Sequence, residues 1–413
     1  MGDNWIAHKI GDLGRVVTGK TPSTTESENF VGAFPFITIP DLGDRVYIDT
    51  SERTLSDVGA SKMKSLLLPP NSVMMSCIAT IGKCGITTKP SFTNQQINSV
   101  ICKPEIVDPL FLYYIFTQLG LELEAAGGGG SVYTNVSKSR FSEISVSLPP
   151  LPEQRAIAGV LGALDDKIDL NQRMTRTLTA MVWAIFKSWF VDFDPVFAKA
   201  IGLHPRGMDI DTAQLFPSAF HGDIPDGWTF AQFRDFLIPI NARIGREKAP
   251  EFSATIKGLS LRDENFKKSL SKSNEKNKRI VKGNLVFGLS RQTLNFGVMT
   301  DDIGSVSPVY EIFDVDNTVY IPELLEMYIR LKMDEYIDIL KPAAREGQAI
   351  DKSYLLTKKI LVPSMTIQQR YQQVCSAFCD KIAQNEKESR TLASLRDALL
   401  PKLMRGEVRV SEL

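Results

Sequence analysis

The chain predicts an α+β fold written twice, with two globular units in a pseudo-twofold arrangement joined by two long antiparallel coiled-coil helices. Three observations carry this expectation. LDDKIDLNQRMTRTLTAMVWAIF (164–186) reappears as FCDKIAQNEKESRTLASLRDALL (378–400) at a constant offset of 214. Both copies hold a heptad pattern. Each is preceded by short β-prone runs without βαβ alternation.

The helices come first because their period is clearest. The first copy places Ile157, Leu164, Asn171, Leu178 and Ile185 on one line of the heptad seam, and Leu161, Ile168, Thr175, Val182 and Trp189 on the other. The second places Tyr371, Phe378, Asn385, Leu392 and Leu399 on the first line, and Cys375, Ile382, Ser389, Arg396 and Leu403 on the other. A seam sustained over several heptads predicts a coiled coil rather than a surface helix. Asn171 and Asn385 share the middle position of the first line, where a buried Asn fixes register at a cost in stability. Antiparallel pairing is the simplest packing for two copies in one chain. A helix of about 39 residues spans about 58 Å, on the order of one to two turns of duplex DNA at about 34–36 Å each.

The globular units follow the same logic. FPFITI, NSVMMSCIATI and INSVICK in the first, and LVFGLS, FGVMT and SPVYEIF in the second, read as short strands. PLFLYYIFTQLGLELEA and PELLEMYIRLKMDEYI read as one helix in each. Weaker echoes flank them: WIAHKIGDL answers WTFAQFRDF, and SVSLPPLPEQR answers KILVPSMTIQQR.

Composition bounds the function. The 413 residues are 43% hydrophobic and 23% charged, and no apolar run is long enough to span a bilayer. The N-terminal stretch lacks a secretory pattern, and five cysteines without framework spacing fit a reducing, cytoplasmic setting. Cys375 and Cys379 lack the further ligands of a metal site, so none is expected. Forty-eight basic residues balance forty-eight acidic ones, yet between Arg243 and Arg291 thirteen Lys/Arg face five Asp/Glu. Such a cluster can neutralise phosphates.

Residues 14–21, GRVVTGKT, match the phosphate-cradling pattern G-x-x-x-x-G-K-[ST]. That loop works only between a buried strand and a helix, and PSTTESENF has no helical period to follow it. A polar turn is the simpler reading. No nucleophile elbow, HExxH zinc pattern or dinucleotide fingerprint is present, and His8, His204 and His221 find no repeated partners. The chain reads as one that binds rather than reacts.

LPPLPEQRAIAGVLGALDDKIDLNQR (148–173), KSWFVDFDPV (187–196), GDIPDGW (222–228) and the opening TGKTPS (18–23) closely resemble the specificity subunit of type I restriction–modification enzymes. The resemblance implies target recognition domains at 1–151 and 225–363, a central conserved coiled-coil helix at 152–196, a linker at 197–224 and a C-terminal conserved helix at 364–413. It implies a bipartite, asymmetric double-stranded DNA site and no catalytic residue in this chain. Two methyltransferase subunits and two restriction/translocase subunits are the implied partners. No cofactor is implied for this chain; S-adenosylmethionine and ATP/Mg²⁺ belong to those partners. The second helix has MTIQQR where the first has LPEQR, and lacks the SWFVDFDP tail.

Side chains suited to phosphates and base edges nominate Lys20, Thr21, Ser23, Lys83, Asn94, Gln95, Gln96, Tyr133 and Asn135 in the first unit. In the second they nominate Arg243, Arg246, Lys248, Arg291, Gln292, Asn295, Arg345 and Gln348. Trp183, Phe186, Trp189, Phe190 and Phe193 form an aromatic stretch expected to dock a methyltransferase subunit. Two other readings stand beside this one: a phosphate-loop nucleotide hydrolase, and an adaptor whose coiled coil joins two protein-binding domains.

Overall fold

The computed structural model describes residues 4–127, 135–262, 274–289, 293–342 and 348–410. Four helices organise it: α1 (Pro109–Gly127), α2 (Leu151–Phe190), α3 (Pro322–Leu331) and α4 (Met365–Met404). The chain forms two compact units, Met1–Thr177 with Lys381–Leu413, and Leu178–Asp380. Each unit holds one half of α2 and one half of α4, because each helix half packs on its own globular part.

In the first unit a five-stranded sheet runs in the order Gly14–Thr18, Ile97–Cys102, Ser72–Ser76, Cys84–Thr87, Tyr47–Ile48, antiparallel except for its last pair. A three-stranded sheet (Arg53–Leu55, Phe30–Ile37, Phe92–Thr93) lies beside it in the chain. Phe111, Tyr114 and Phe116 of α1 are buried with Val73, Met75, Val100, Ile157 and Leu161, so the helix joins the sheet core to α2. In the second unit the order is Leu237–Ile240, Glu311–Val315, Leu285–Phe287, Phe296–Val298, all antiparallel. Leu324, Leu325 and Ile329 of α3 fill the same core as Leu285, Phe287 and Phe313.

The two weak sequence echoes pair with each other in each unit. Ile6–Lys9 lies antiparallel to Ser145–Leu148, and Thr229–Gln232 antiparallel to Lys359–Val362. The chain then turns into the long helix, and a glutamine at the same repeat position holds that turn in both cases. Gln154, 1% exposed, accepts from the Asp108 amide (3.0 Å) and donates to the carbonyls of Ile106 (3.1 Å) and Pro149 (2.8 Å). Gln368, 0% exposed, accepts from the Ile321 amide (2.9 Å) and donates to the carbonyls of Val319 and Pro363 (both 3.0 Å).

The heptad seam is buried or half-buried along both helices, and the intervening positions are mainly exposed. Within the first unit Asp165 meets Arg396 while Lys167 and Asn171 meet Glu388, so the helices run antiparallel. Asn171 and Asn385 are 1% and 0% exposed. Asn171 Nδ2 donates to Glu388 Oε2 at 2.8 Å, while Asn171 Oδ1 and both amide atoms of Asn385 have no hydrogen-bond partner among the described residues.

Two expectations are corrected here. The first helix stops at Phe190 rather than residue 196: Phe193 takes φ 55°, which breaks the helix before Asp194–Ala200 forms a short one. Residues 197–224 are folded rather than a free linker. Phe216 packs edge-on against Trp189, and Asp209 caps the short helix Ile210–Leu215 while pairing with Arg370 of α4.

Replacing Gln154 with Met keeps the volume but strands three backbone groups, so unfolding in urea should lose about 3 kcal/mol. A loss below about 0.5 kcal/mol would deny the clamp its role. Hydrogen bonds from Thr212 and the charge of Arg370 hold the Asp209 carboxyl down at about 2. Its contribution is therefore complete above the ordinary carboxylate value of about 4 and is lost as pH falls towards about 2. Asp209→Asn should flatten the acid-unfolding curve in that window.

Candidate nucleic-acid interface

Of the nominated residues of the first unit, Lys20, Thr21, Lys83, Asn94, Gln95, Gln96 and Asn135 gather at one end of its five-stranded sheet. Past the strand Gly14–Thr18, the Gly19 amide donates to Ile97 O (3.2 Å) and the Lys20 amide to Thr93 O (3.0 Å). Thr21 Oγ1 then donates to Gln95 Oε1 at 2.7 Å. The Cys77 amide donates to Gln96 O, and the Val136 amide to Cys77 O, which brings Asn135 to the same edge through its bridge with Ile78. Lys83 closes the loop beside them, since its carbonyl accepts from the Ser76 amide at 2.8 Å. The Lys83 loop sits tight on α1: a Cβ placed on Gly120 would come within 2.5 Å of the Gly82 Cα.

Lys20, Ser23, Gln95 and Asn135 are exposed, and Thr21, Lys83 and Gln96 half-exposed. Neither Lys20 nor Lys83 has an ion-pair partner among the described residues. Asn94 departs from the expectation. It is 8% exposed and turned inward, exchanging hydrogen bonds with Gln96, so it shapes the turn that displays Gln95. Tyr133 lies outside the described residues.

The second unit places its residues in two loops. Arg243, Arg246 and Lys248 are exposed, and Arg243 bridges Lys278. Arg246 and Lys248 line a depression of about 590 Å³ with Glu247, Asn274 and Ser305. Asn295 holds the other loop, donating to Leu289 O (3.2 Å) while its carbonyl accepts from the Gly288 amide. Nothing described brings the two loops together. Arg291, Gln292 and Arg345 lie outside the described residues, as does the side chain of Gln348.

The GRVVTGKT turn leads into coil and a three-residue 3₁₀ turn at Ser27–Asn29, with no helix to face a phosphate. The nucleotide-hydrolase reading therefore fails on its own structural requirement. Burial pushes the Cys77 thiol up to about 11 and holds the Cys84 thiol well above its ordinary value, which keeps both protonated. Among the described residues no group of acidic, His and Cys side chains has the makings of a metal site, and no helix is long and apolar enough to cross a membrane.

A feature the sequence did not single out is a polar cleft of about 690 Å³ in the first unit. Arg45 and Tyr47 line one wall, and Asp166, Arg173 and Arg176 of α2 another, with Arg396 of α4 at its end. Arg176 belongs to the repeated Arg-Thr-Leu triplet, the one signal that pointed there. Burial and the carboxylates of Asp166 and Asp108 raise the Tyr47 phenol, leaving it a neutral donor.

The aromatic stretch expected to dock a partner is core instead. Phe186, Trp189 and Phe190 are 0%, 6% and 2% exposed. Their rings pack on Tyr371 of α4 at 5.8, 5.8 and 5.3 Å. Phe193 packs on Trp228 and Trp183 on Phe186. Folding of residues 197–224 back onto this stretch covers it. Among its neighbours, Phe197 and Ile201 are exposed.

Residues 2–180 match the family model described as the type I restriction modification DNA specificity domain. The chain is 26% identical to the type I restriction enzyme MjaIX specificity subunit of Methanocaldococcus jannaschii, over 99% of this chain and 95% of that one. It is 39% identical to the HindI specificity subunit of Haemophilus influenzae over 35% of this chain and 32% of that one. The crystal structure of a type I restriction–modification S subunit from M. genitalium superposes with a TM-score of 0.58, covering 98% of this chain and 97% of that one at 14% identity. Residues 2–180 thus match a DNA specificity domain, and the chain is similar along nearly its whole length to a type I specificity subunit.

Trp189→Ala removes a buried ring from the second unit and should cost about 3–5 kcal/mol of stability. Urea unfolding with the wild-type midpoint would show the stretch to be free surface after all.

Proposed function

We propose that this chain is the non-catalytic DNA-recognition subunit of a type I restriction–modification complex in the cytoplasm, reading a bipartite, asymmetric site. The observation that carries the reading is kinship with a specificity subunit along 99% of the chain, through both globular parts and both helices. The first half-site is read at the sheet end carrying Lys20, Thr21, Ser23, Lys83, Gln95, Gln96 and Asn135. Lys20 and Lys83 neutralise phosphate, while Gln95, held by Thr21, presents its amide to a base edge; an amide paired with adenine is the matching chemistry. The loops of Arg243–Lys248 and Asn295 read the second half-site.

Adenine methylation falls to two methyltransferase subunits that hold S-adenosylmethionine, and cleavage to two translocase–nuclease subunits driven by ATP and Mg²⁺. Asn171 and Asn385 fix the register of the helix pair, and through it the gap between the half-sites. Lys, Gln and Asn on exposed turns fit this division of labour, since they bind and orient without supplying a nucleophile.

Duplex binding by the assembled methyltransferase complex, followed against salt, separates the two kinds of contact. Lys20→Ala should weaken every duplex alike and lower the salt slope by about one. Gln95→Ala should keep the slope and lose about 1–3 kcal/mol of discrimination at one base pair. Identical behaviour of both variants and wild type would remove this sheet end from the DNA contact.

A further inference from the structure

The two units are built on the same plan but carry different chemistry at one position beside the seam. In the first unit Asp165 of α2, with its side chain 7% exposed, accepts from the Tyr114 hydroxyl of α1 at 2.6 Å. Its other oxygen takes the Arg396 guanidinium of α4, also at 2.6 Å. Arg396 reaches Asp397 as well, at 2.8 Å. Both oxygens of a buried carboxylate are thus satisfied, one by the unit's own globular part and one by the end of α4.

At the repeat offset of 214, Asp165 corresponds to Cys379 and Arg396 to Val182. Aligning the starts of α1 and α3 on Pro109 and Pro322 sets Tyr114 against Met327. The second unit therefore has thiol, aliphatic and thioether where the first has carboxylate, guanidinium and phenol. Tyr371 fills the gap there, its hydroxyl 2.9 Å from Val182 O and 3.7 Å from Met327 Sδ.

A repeated architecture invites a wrong assembly. Two copies of the first half share the apolar seam and its central Asn for pairing α2 with α2, and two copies of the second half likewise. In the first of these assemblies Val182 of a second copy takes the place of Arg396, and Asp165 keeps only Tyr114. In the second, Arg396 faces Cys379 and keeps only its neighbour Asp397. A buried charge deprived of its partner is strongly unfavourable, whereas an apolar end tolerates either neighbour.

We propose that the Tyr114–Asp165–Arg396 cluster is a pairing code, accepting the C-terminal stretch of this chain's own α4 and rejecting the equivalent stretch of α2 from a second copy. Its role is choice of partner, over and above any stability it adds. It is independent of which DNA is read, and its test involves no DNA.

Two full-length chains, one tagged and carrying Asp165→Arg, the other untagged and carrying Arg396→Asp, are co-expressed. In each alone the intramolecular contact sets like charges together. Exchange of helices between the two chains restores one Arg–Asp pair of each sense. The tagged chain should capture the untagged one roughly tenfold or more above the wild-type pair, because like charges across the contact disfavour the intramolecular arrangement. The single chain carrying both reversals regains the pair in cis, so it should be monomeric and capture nothing. The proposal is overturned if co-expression gives no capture above the wild-type pair, or if the double reversal does not restore a monomer.

Discussion

In both units one buried glutamine decides where the long helix begins and in which direction it leaves. Gln154 and Gln368 each join three backbone groups from two segments that are distant in sequence: the turn after the last strand, and the entry to α1 or α3. A buried amide left half-satisfied costs more than its hydrogen bonds return when made, so the arrangement is all or none. The globular part and its helix half consequently behave as one body. Any side chain presented by the sheet end is then fixed relative to the heptad seam.

The same framework carries different contents. The entry strand, its short 3₁₀ turn, the last strand, the clamp and the order of four sheet strands recur in both units, whereas the extra edge strand Tyr47–Ile48, the smaller sheets and the loops at the strand ends differ. Such freedom suits the proposed reading of two different half-sites, because base edges are read by a few side chains while the scaffold supplies rigidity. The charge balance is of the same kind. A net charge of zero conceals basic loops, so positive charge is local to those loops.

How much of this was legible in the sequence varies with the range of the interaction. The long helices were readable because heptad spacing is a local signal repeated many times, and Asn171 and Asn385 stood at the seam before any coordinates did. The strand pairs were visible as echoes, although only the fold shows that one echo hydrogen-bonds to the other. The Trp189 stretch was misjudged because its cover comes from Phe216 and Tyr371, residues far along the chain whose placement no periodicity reports. Asn94 was misjudged for a different reason: a turn residue's side chain can bond its own backbone neighbours instead of solvent. The Asp165–Arg396 pair spans 231 positions, and only comparing the two repeats marks it as unequal.

The central claim is that two readers on one chain direct methylation to a split DNA site. A genome-wide map of N6-methyladenine in cells expressing the partner subunits, with this gene intact and with it deleted, tests that claim most directly. The account predicts that deletion erases methylation at one motif made of two short defined halves around a fixed gap. If no such motif disappears, the chain does not direct methylation to a split site, and the adaptor reading takes its place.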